Sequence, residues 1–165
     1  MQRRRQMLEQ IMPELESIYN LAKDKPSVRY FDYTNPDNLA FVRQEIEGLR
    51  ASEMCNIFNW ELFHEAMNRP HIQKILETVE KFKVLYIARN KIIDRRVITF
   101  LENPKLEIKY LSEAKFGFLC EVLIARDTVY IARQSDGLII MDKLFSQTLK
   151  LVFQALWGIA EEIKN

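Results

Sequence analysis

The chain has 165 residues, 24 Lys and Arg against 23 Asp and Glu, and a formal charge of +1, a length that fits one domain with at most a short appendage. Its 48% hydrophobic content, with ten Phe, six Tyr and two Trp, excludes a disordered chain, and the balanced charge leaves no overall nucleic-acid footprint. Two cysteines exclude a disulfide scaffold, no apolar run approaches the ~20 residues of a membrane span, and the opening MQRRRQMLEQ lacks the apolar stretch of a secretory signal, so a soluble cytoplasmic protein is expected.

Residues 1–24 are expected to form a helix, with Leu8, Ile11, Leu15, Ile18 and Ala22 spaced 3, 4, 3 and 4 along one seam. Two heptads are short for a coiled coil on their own, and Pro13 predicts a kink or a fresh helix start near Met12–Glu14. The seam serves either a dimer or packing against the chain's own domain, and the domain proper is expected over residues 25–165. Val28–Tyr33 predicts a strand. Asn35 and Pro36 then open a helix whose apolar stripe is Leu39, Val42, Ile46 and Leu49, with Gly48 near its end. Glu53–Asn59 predicts a second strand, Glu61–Phe82 a helical stretch that Pro70 can split, and Lys83–Arg89 a third strand apolar on both faces. Ile92–Leu101 predicts a short helix ended by Asn103–Pro104, and Leu106–Leu111 a fourth strand. These alternating units predict a mainly parallel sheet with crossover helices.

Beyond residue 112 the pattern changes. Phe118–Ala125, Val129–Arg133 and Leu138–Met141 predict three strands with connections short enough for hairpins, the second carrying an Asp-Gly turn signal. Antiparallel strands are thus added to the parallel set. Phe145, Leu149, Val152, Leu156, Ile159 and Ile163 predict a closing helix from Lys143 to about Lys164. The expected architecture is α/β, a mixed and mainly parallel sheet flanked by helices behind an N-terminal linker helix.

Little in the chain carries recognisable chemistry. His64 and His71 are seven residues apart, about 10.5 Å along an unbroken helix at ~1.5 Å per residue, too far to share one metal. Cys55 and Cys120 belong to no CxxC motif and read as buried thiols, with a redox sensor as the alternative. No glycine-rich phosphate loop and no GxSxG elbow is present. No metal and no cofactor is expected. Arg3–Arg5 and Arg95–Arg96 read as solvated helix ends. Ligands of open α/β sheets bind beyond the carboxyl ends of parallel strands, which places Asn59, Trp60, Arg89 and Asn90 as ligand-binding candidates for a small polar or anionic molecule. The alternative is that Trp60 packs the helix start and Arg89 pairs with an acid.

Two strings carry a resemblance. MPELESIYN followed by KPSVRYFDY is similar to the junction of linker helix and effector domain in TrmB-like transcriptional regulators. FLCEVLIARDTVYIARQSDGLIIMDKLFSQTLKLVFQALW resembles the close of the same domain, with its hairpin, strand and final helix ending in Phe153, Leu156 and Trp157. The resemblance covers about residues 8–164. It implies an effector domain shaped like one half of a phospholipase D fold, a ligand-sensing or dimerising role, and a DNA-binding winged helix ahead of the linker helix. This chain starts at the linker helix and is expected to be either a stand-alone effector domain or a piece of a longer regulator, touching DNA only through a winged helix it does not itself carry. It departs from the family in its Asp32–Pro36 loop, where a glycine-containing turn is common.

A phospholipase D enzyme needs His-x-Lys-x-x-x-x-Asp, one His to attack phosphorus and Lys to hold its oxygens. The matching positions here hold Leu119, Glu121 and Arg126, and the neighbouring Asp127 does not restore the motif. The chain is therefore expected not to be an enzyme. The resemblance implies a homodimeric sensor or effector domain with its seam on Leu8, Ile11, Leu15 and Ile18 and a small-molecule effector as partner. The rivals are a stand-alone protein-interaction module and an enzyme with an unrecognised site.

Overall fold

In the computed structural model, which describes residues 25–66, 68–92, 97 and 99–163, the fold is organised around β2 (Ala51–Asn59) and β3 (Val79–Ala88). Both are apolar on both faces, as strands covered by helices on two sides must be. They run parallel in the register Ile57↔Leu85, and β3 runs parallel to β4 (Leu106–Ser112). β5 (Glu121–Ala125), β6 (Thr128–Ala132) and β7 (Asp136–Met141) follow as a meander on the other side of β2. β1 (Ser27–Asp32) closes that edge against β7, and β8 (Glu161–Glu162) closes the opposite edge against β4. The eight-stranded order is β1-β7-β6-β5-β2-β3-β4-β8.

The expected mainly parallel sheet is not what forms. Only β2·β3 and β3·β4 are parallel, and the other five strand pairs are antiparallel. The reason lies in the connections. Two-residue and three-residue links in the meander are too short to cross over and must reverse the chain. β1, although followed by a helix, takes the free edge of β7 rather than a place beside β2.

Each face has its own cover. α1 (Pro36–Gly48) starts at an Asn35 cap with Pro36 in the first turn. Asn59 caps the short α2 (Trp60–Phe63), a 3-10 turn follows at His64–Ala66, and Asn68 caps α3 (Arg69–Thr78), with Pro70 in its first turn. Proline is tolerated there because its missing N–H has no helical partner. The long helix expected over Glu61–Phe82 is thus split, and its last four residues belong to β3. Val42 and Ile46 of α1 and Ile75 and Leu76 of α3 pack on Met54, Phe82, Val84 and Leu123 of the sheet. The other face, with Cys55, Ile57, Leu85, Ile87, Val122 and Ile124, is covered by Phe153, Leu149, Leu156 and Trp157 of α4 (Lys143–Ile159). Alternate residues of one strand feed the two cores, as the two-residue period of a strand requires.

Three further boundaries differ from expectation. β5 starts at Glu121 rather than Phe118, because the Phe118 carbonyl bonds the Asn59 side chain instead of a strand. β2 begins two residues earlier than predicted, at Ala51. α4 ends at Ile159, where Glu161 and Glu162 leave the helix to pair with β4 and with Lys91 and Lys109. The expected linker helix over 1–24, with Leu8, Ile11, Leu15 and Ile18, lies outside the described residues, as do residues 93–96 and 98 of the helix expected over Ile92–Leu101. No described helix is long and apolar enough to cross a membrane.

Candidate functional site

The helices α1 and α3 do not seal their face of the sheet completely. Between them and β2–β6 lies a cavity of about 480 Å³, within the ~300–1,000 Å³ of small-molecule sites. Its walls are mostly apolar and rich in rings: Phe58 and Tyr86 from β2 and β3, Phe63 from α2, Phe82 from β3, Phe100, and Tyr130 from β6. Val42 and Ile46 face it from α1, and Ile72 and Ile75 from α3.

Two polar side chains stand on its floor. Asn56 is buried in β2, and its alternation partners Met54 and Phe58 are apolar. β2 and β5 are antiparallel with Asn56 opposite Leu123, so Glu121, two residues away on β5, is its diagonal neighbour on the same face. The Asn56 Nδ2 group donates to Glu121 Oε1 at 2.9 Å. Burial pushes the Glu121 carboxyl up, and the Asn56 hydrogen bond and the Arg43 charge pull it back down. Arg43 of α1 also lines the cavity and acts by its charge on Tyr33 and His71.

The rim is polar. Tyr33 ends the β1 segment, its N–H bonding the Ser135 carbonyl at 2.9 Å. Burial pushes its phenol up, and Glu121 and Asp136 add to that. His71 Nδ1 lies 2.8 Å from Glu47 Oε1, and Lys74 holds the other oxygen of Glu47 at 2.9 Å. Burial lowers the His71 pKa more than Glu47 raises it. Arg133 pairs with Asp136 across the β6–β7 turn. Among the described residues no group of three or more His, Cys, Asp or Glu is placed to hold a metal ion. His64 lies apart from His71, its Nδ1 3.0 Å from the Trp60 carbonyl.

The four ligand-binding candidates from the sequence do meet at the carboxyl ends of β2 and β3, yet none of them lines this cavity. Asn59 Oδ1 accepts from the Glu61 N–H at 3.0 Å while its Nδ2 donates to the Phe118 carbonyl at 2.8 Å, which uses the whole amide in capping. Trp60 packs between Phe58, His64 and Tyr86 at the helix start. The Arg89 N–H bonds Glu61 Oε1 at 2.9 Å, and its guanidinium lies 3.7 Å from Glu61 and 3.9 Å from Glu113. Asn90 is exposed. Sequence reading passed over Asn56, Arg43 and Tyr33, and weighed His71 only as a metal ligand. The signal was available for Asn56 and Glu121: each is the polar exception in an otherwise apolar alternate series of its strand.

No protein-family model and no curated protein matches the chain. Solved structures do. TrmBL2, an archaeal chromatin protein described as showing a novel mode of DNA binding, is 19% identical over 98% of this chain with a TM-score of 0.61. This chain spans 66% of that protein's length. Nuc from Salmonella typhimurium, a phospholipase D family member, is 13% identical with a TM-score of 0.61, over 86% of this chain and 100% of that one. NucT from Helicobacter pylori is 18% identical with a TM-score of 0.62, over 84% and 98%. The chain has the phospholipase D-like fold.

The positions that the resemblance sets against the His-x-Lys-x-x-x-x-Asp pattern, Leu119, Glu121 and Arg126, lie at β5 and its two ends. Leu119 precedes β5 and is 80% exposed. Glu121 begins β5 and faces the cavity. Arg126 sits in the two-residue turn to β6 with φ 55°, its carbonyl accepting from the buried Ser146 hydroxyl at 2.7 Å.

Proposed function

We propose that the chain is a non-catalytic regulatory domain of the TrmB-like kind, which dimerises and senses a small molecule. The observation that carries this reading is the fate of the phospholipase D positions. An exposed leucine has no lone pair with which to attack phosphorus. A carboxylate where an ammonium should hold phosphate oxygens repels the substrate by several kcal/mol, of the order of a ~4 kcal/mol pair at 4 Å in a partly wet site. The same strand instead turns Glu121 inward, onto Asn56 and a cavity of ligand size. The fold keeps its frame and trades the phosphate site for an enclosed one.

Dimerisation is assigned to the seam Leu8, Ile11, Leu15 and Ile18. α4 offers further apolar surface, since Leu144, Leu151, Val152 and Ile159 are exposed on it. A ligand that binds one packing of the domain better than another shifts dimer geometry by that difference in affinity and by no more. DNA contact, in this reading, belongs to a winged helix joined through the linker helix.

The assay that bears on the non-catalytic reading is hydrolysis of bis(p-nitrophenyl) phosphate by the purified chain. No turnover above the uncatalysed rate is expected, with or without divalent metal. Turnover that disappears in a Glu121→Ala variant would make the chain an enzyme and overturn the proposal.

A further inference from the structure

The cavity over β2–β6 combines a carboxylate with a ring-lined wall, and that combination selects a class of ligand. Glu121 lines the cavity and is its only carboxylate on the sheet floor among the described residues. Asn56, 7% exposed, fixes one carboxylate oxygen through its Nδ2 and has nothing bonded to its own Oδ1. The Asn56–Glu121 pair thus leaves acceptor oxygens, Asn56 Oδ1 and the second oxygen of Glu121, beyond the bond that joins the two side chains. Around it stand Phe58, Phe63, Phe82 and Tyr86. A sugar needs hydrogen-bonding groups on most sides and meets a mostly apolar wall. An anion meets the Glu121 charge on the floor, with Arg43 as the opposing charge in the lining. An amine meets a carboxylate in a poorly hydrated site, where a charge-assisted bond is about twice a neutral one in strength, and aromatic faces that attract cations.

We propose that this cavity binds an organic cation, an amine or amidine with an aromatic or otherwise apolar body, with Glu121 as its counter-charge and Asn56 as the group that orients Glu121. The inference rests on the ligand-sensing reading above and names its ligand class. Burial of Glu121 fits the assignment, because a buried carboxylate is costly, the Asn56 hydrogen bond and the Arg43 charge offset only part of that cost, and a bound cation offsets more of it.

The probes are benzamidine and phenethylamine, with phenylacetate as the anion of similar body and maltose as the polar neutral molecule. Calorimetry on the full chain is expected to show binding of at least one of the two cations, with phenylacetate and maltose at least about tenfold weaker. Glu121→Gln keeps size and an acceptor for Asn56, and is expected to weaken the cation by about tenfold or more, while its urea midpoint confirms that it still folds. A second variant, Phe58→Leu, is expected to weaken binding by a smaller factor with Glu121 intact. Absence of binding by both cations at millimolar concentration overturns the proposal. So does binding that Glu121→Gln leaves unchanged, or a preference for phenylacetate or maltose. The mass of the protein in solution, measured with and without the bound cation, separates this proposal from its parent. Binding with no change in the dimer keeps the ligand class and rejects transmission, whereas a dimer that binds no cation does the reverse.

Discussion

Asn59 uses every hydrogen-bonding atom of its amide within the fold. It is 1% exposed, caps α2 and holds the Phe118 carbonyl at the approach to β5. Asn59→Ala removes a helix cap and leaves a carbonyl without its partner, so a loss of about 2 kcal/mol is expected, read as a lower urea midpoint. Gly137 is constrained differently. A Cβ there would overlap the Tyr33 hydroxyl and approach the Ile131 carbonyl to 3.0 Å. Gly137→Ala therefore has to displace the Tyr33 ring from the cavity rim, and is expected to destabilise the fold by about 1–3 kcal/mol, measured by the same titration. Arg126 is the converse case. It holds a left-handed φ of 55°, which costs a residue with a Cβ about 1 kcal/mol, so Arg126→Gly is expected to raise the midpoint. Cys55 is buried, and burial, with the Glu53 charge adding to it, pushes its thiol up to about 12. It is expected to react with Ellman's reagent at pH 8 only after unfolding.

At the scale of the element, α4 is the piece that ties the second face together, and Glu53 is its clamp. One carboxylate oxygen lies 2.8 Å from Lys83 on β3 and the other 2.9 Å from Lys150 on α4. Burial pushes the Glu53 carboxyl up, but the two lysines outweigh it through hydrogen bonds and charge, and hold it down at about 2. A carboxyl whose folded pKa is depressed stabilises the fold above its ordinary 4.5 and loses that contribution as pH falls toward about 2. Chemical denaturation from pH 6 down to pH 2 is expected to show a steeper loss for the natural chain than for Glu53→Gln, with the difference opening between about 4.5 and 2. Trp157 sits beside the same clamp, stacked on Phe153 with the Lys83 and Lys109 ammonium groups 5.7 and 5.2 Å from its ring. Its fluorescence reports detachment of α4 directly.

At the scale of the whole molecule, what was legible in the sequence was local. The Asn35–Pro36 helix start and the two hairpin turns are set by residues within a turn or two of each other, and their positions were readable, whereas the expected stripe of α4 holds only at Leu149 and Leu156, since Val152 and Ile159 are exposed and Phe153 is the buried anchor. Pairing is set by partners far apart in the chain. Nothing near Ser27–Asp32 says that it will run beside Asp136–Met141, and that choice adds a fifth antiparallel pair to the four made by the meander, its junction with β2, and β8. The Glu161–Glu162 strand was hidden for the same reason, since its reason to leave the helix is Lys109 on β4. The cavity was half legible. The string that resembles the effector domain located Glu121 as a departure from a catalytic pattern, but only the β2–β5 register puts it against Asn56.

The proposed function requires this fold to work as a dimeric, regulated unit. The most direct test is the mass of the 165-residue protein in solution by sedimentation at tens of micromolar, beside a Leu15→Ser/Ile18→Ser variant. The account predicts a dimer that the double substitution dissociates into folded monomers. A monomer in both samples would contradict it, and would make the domain a stand-alone binding module.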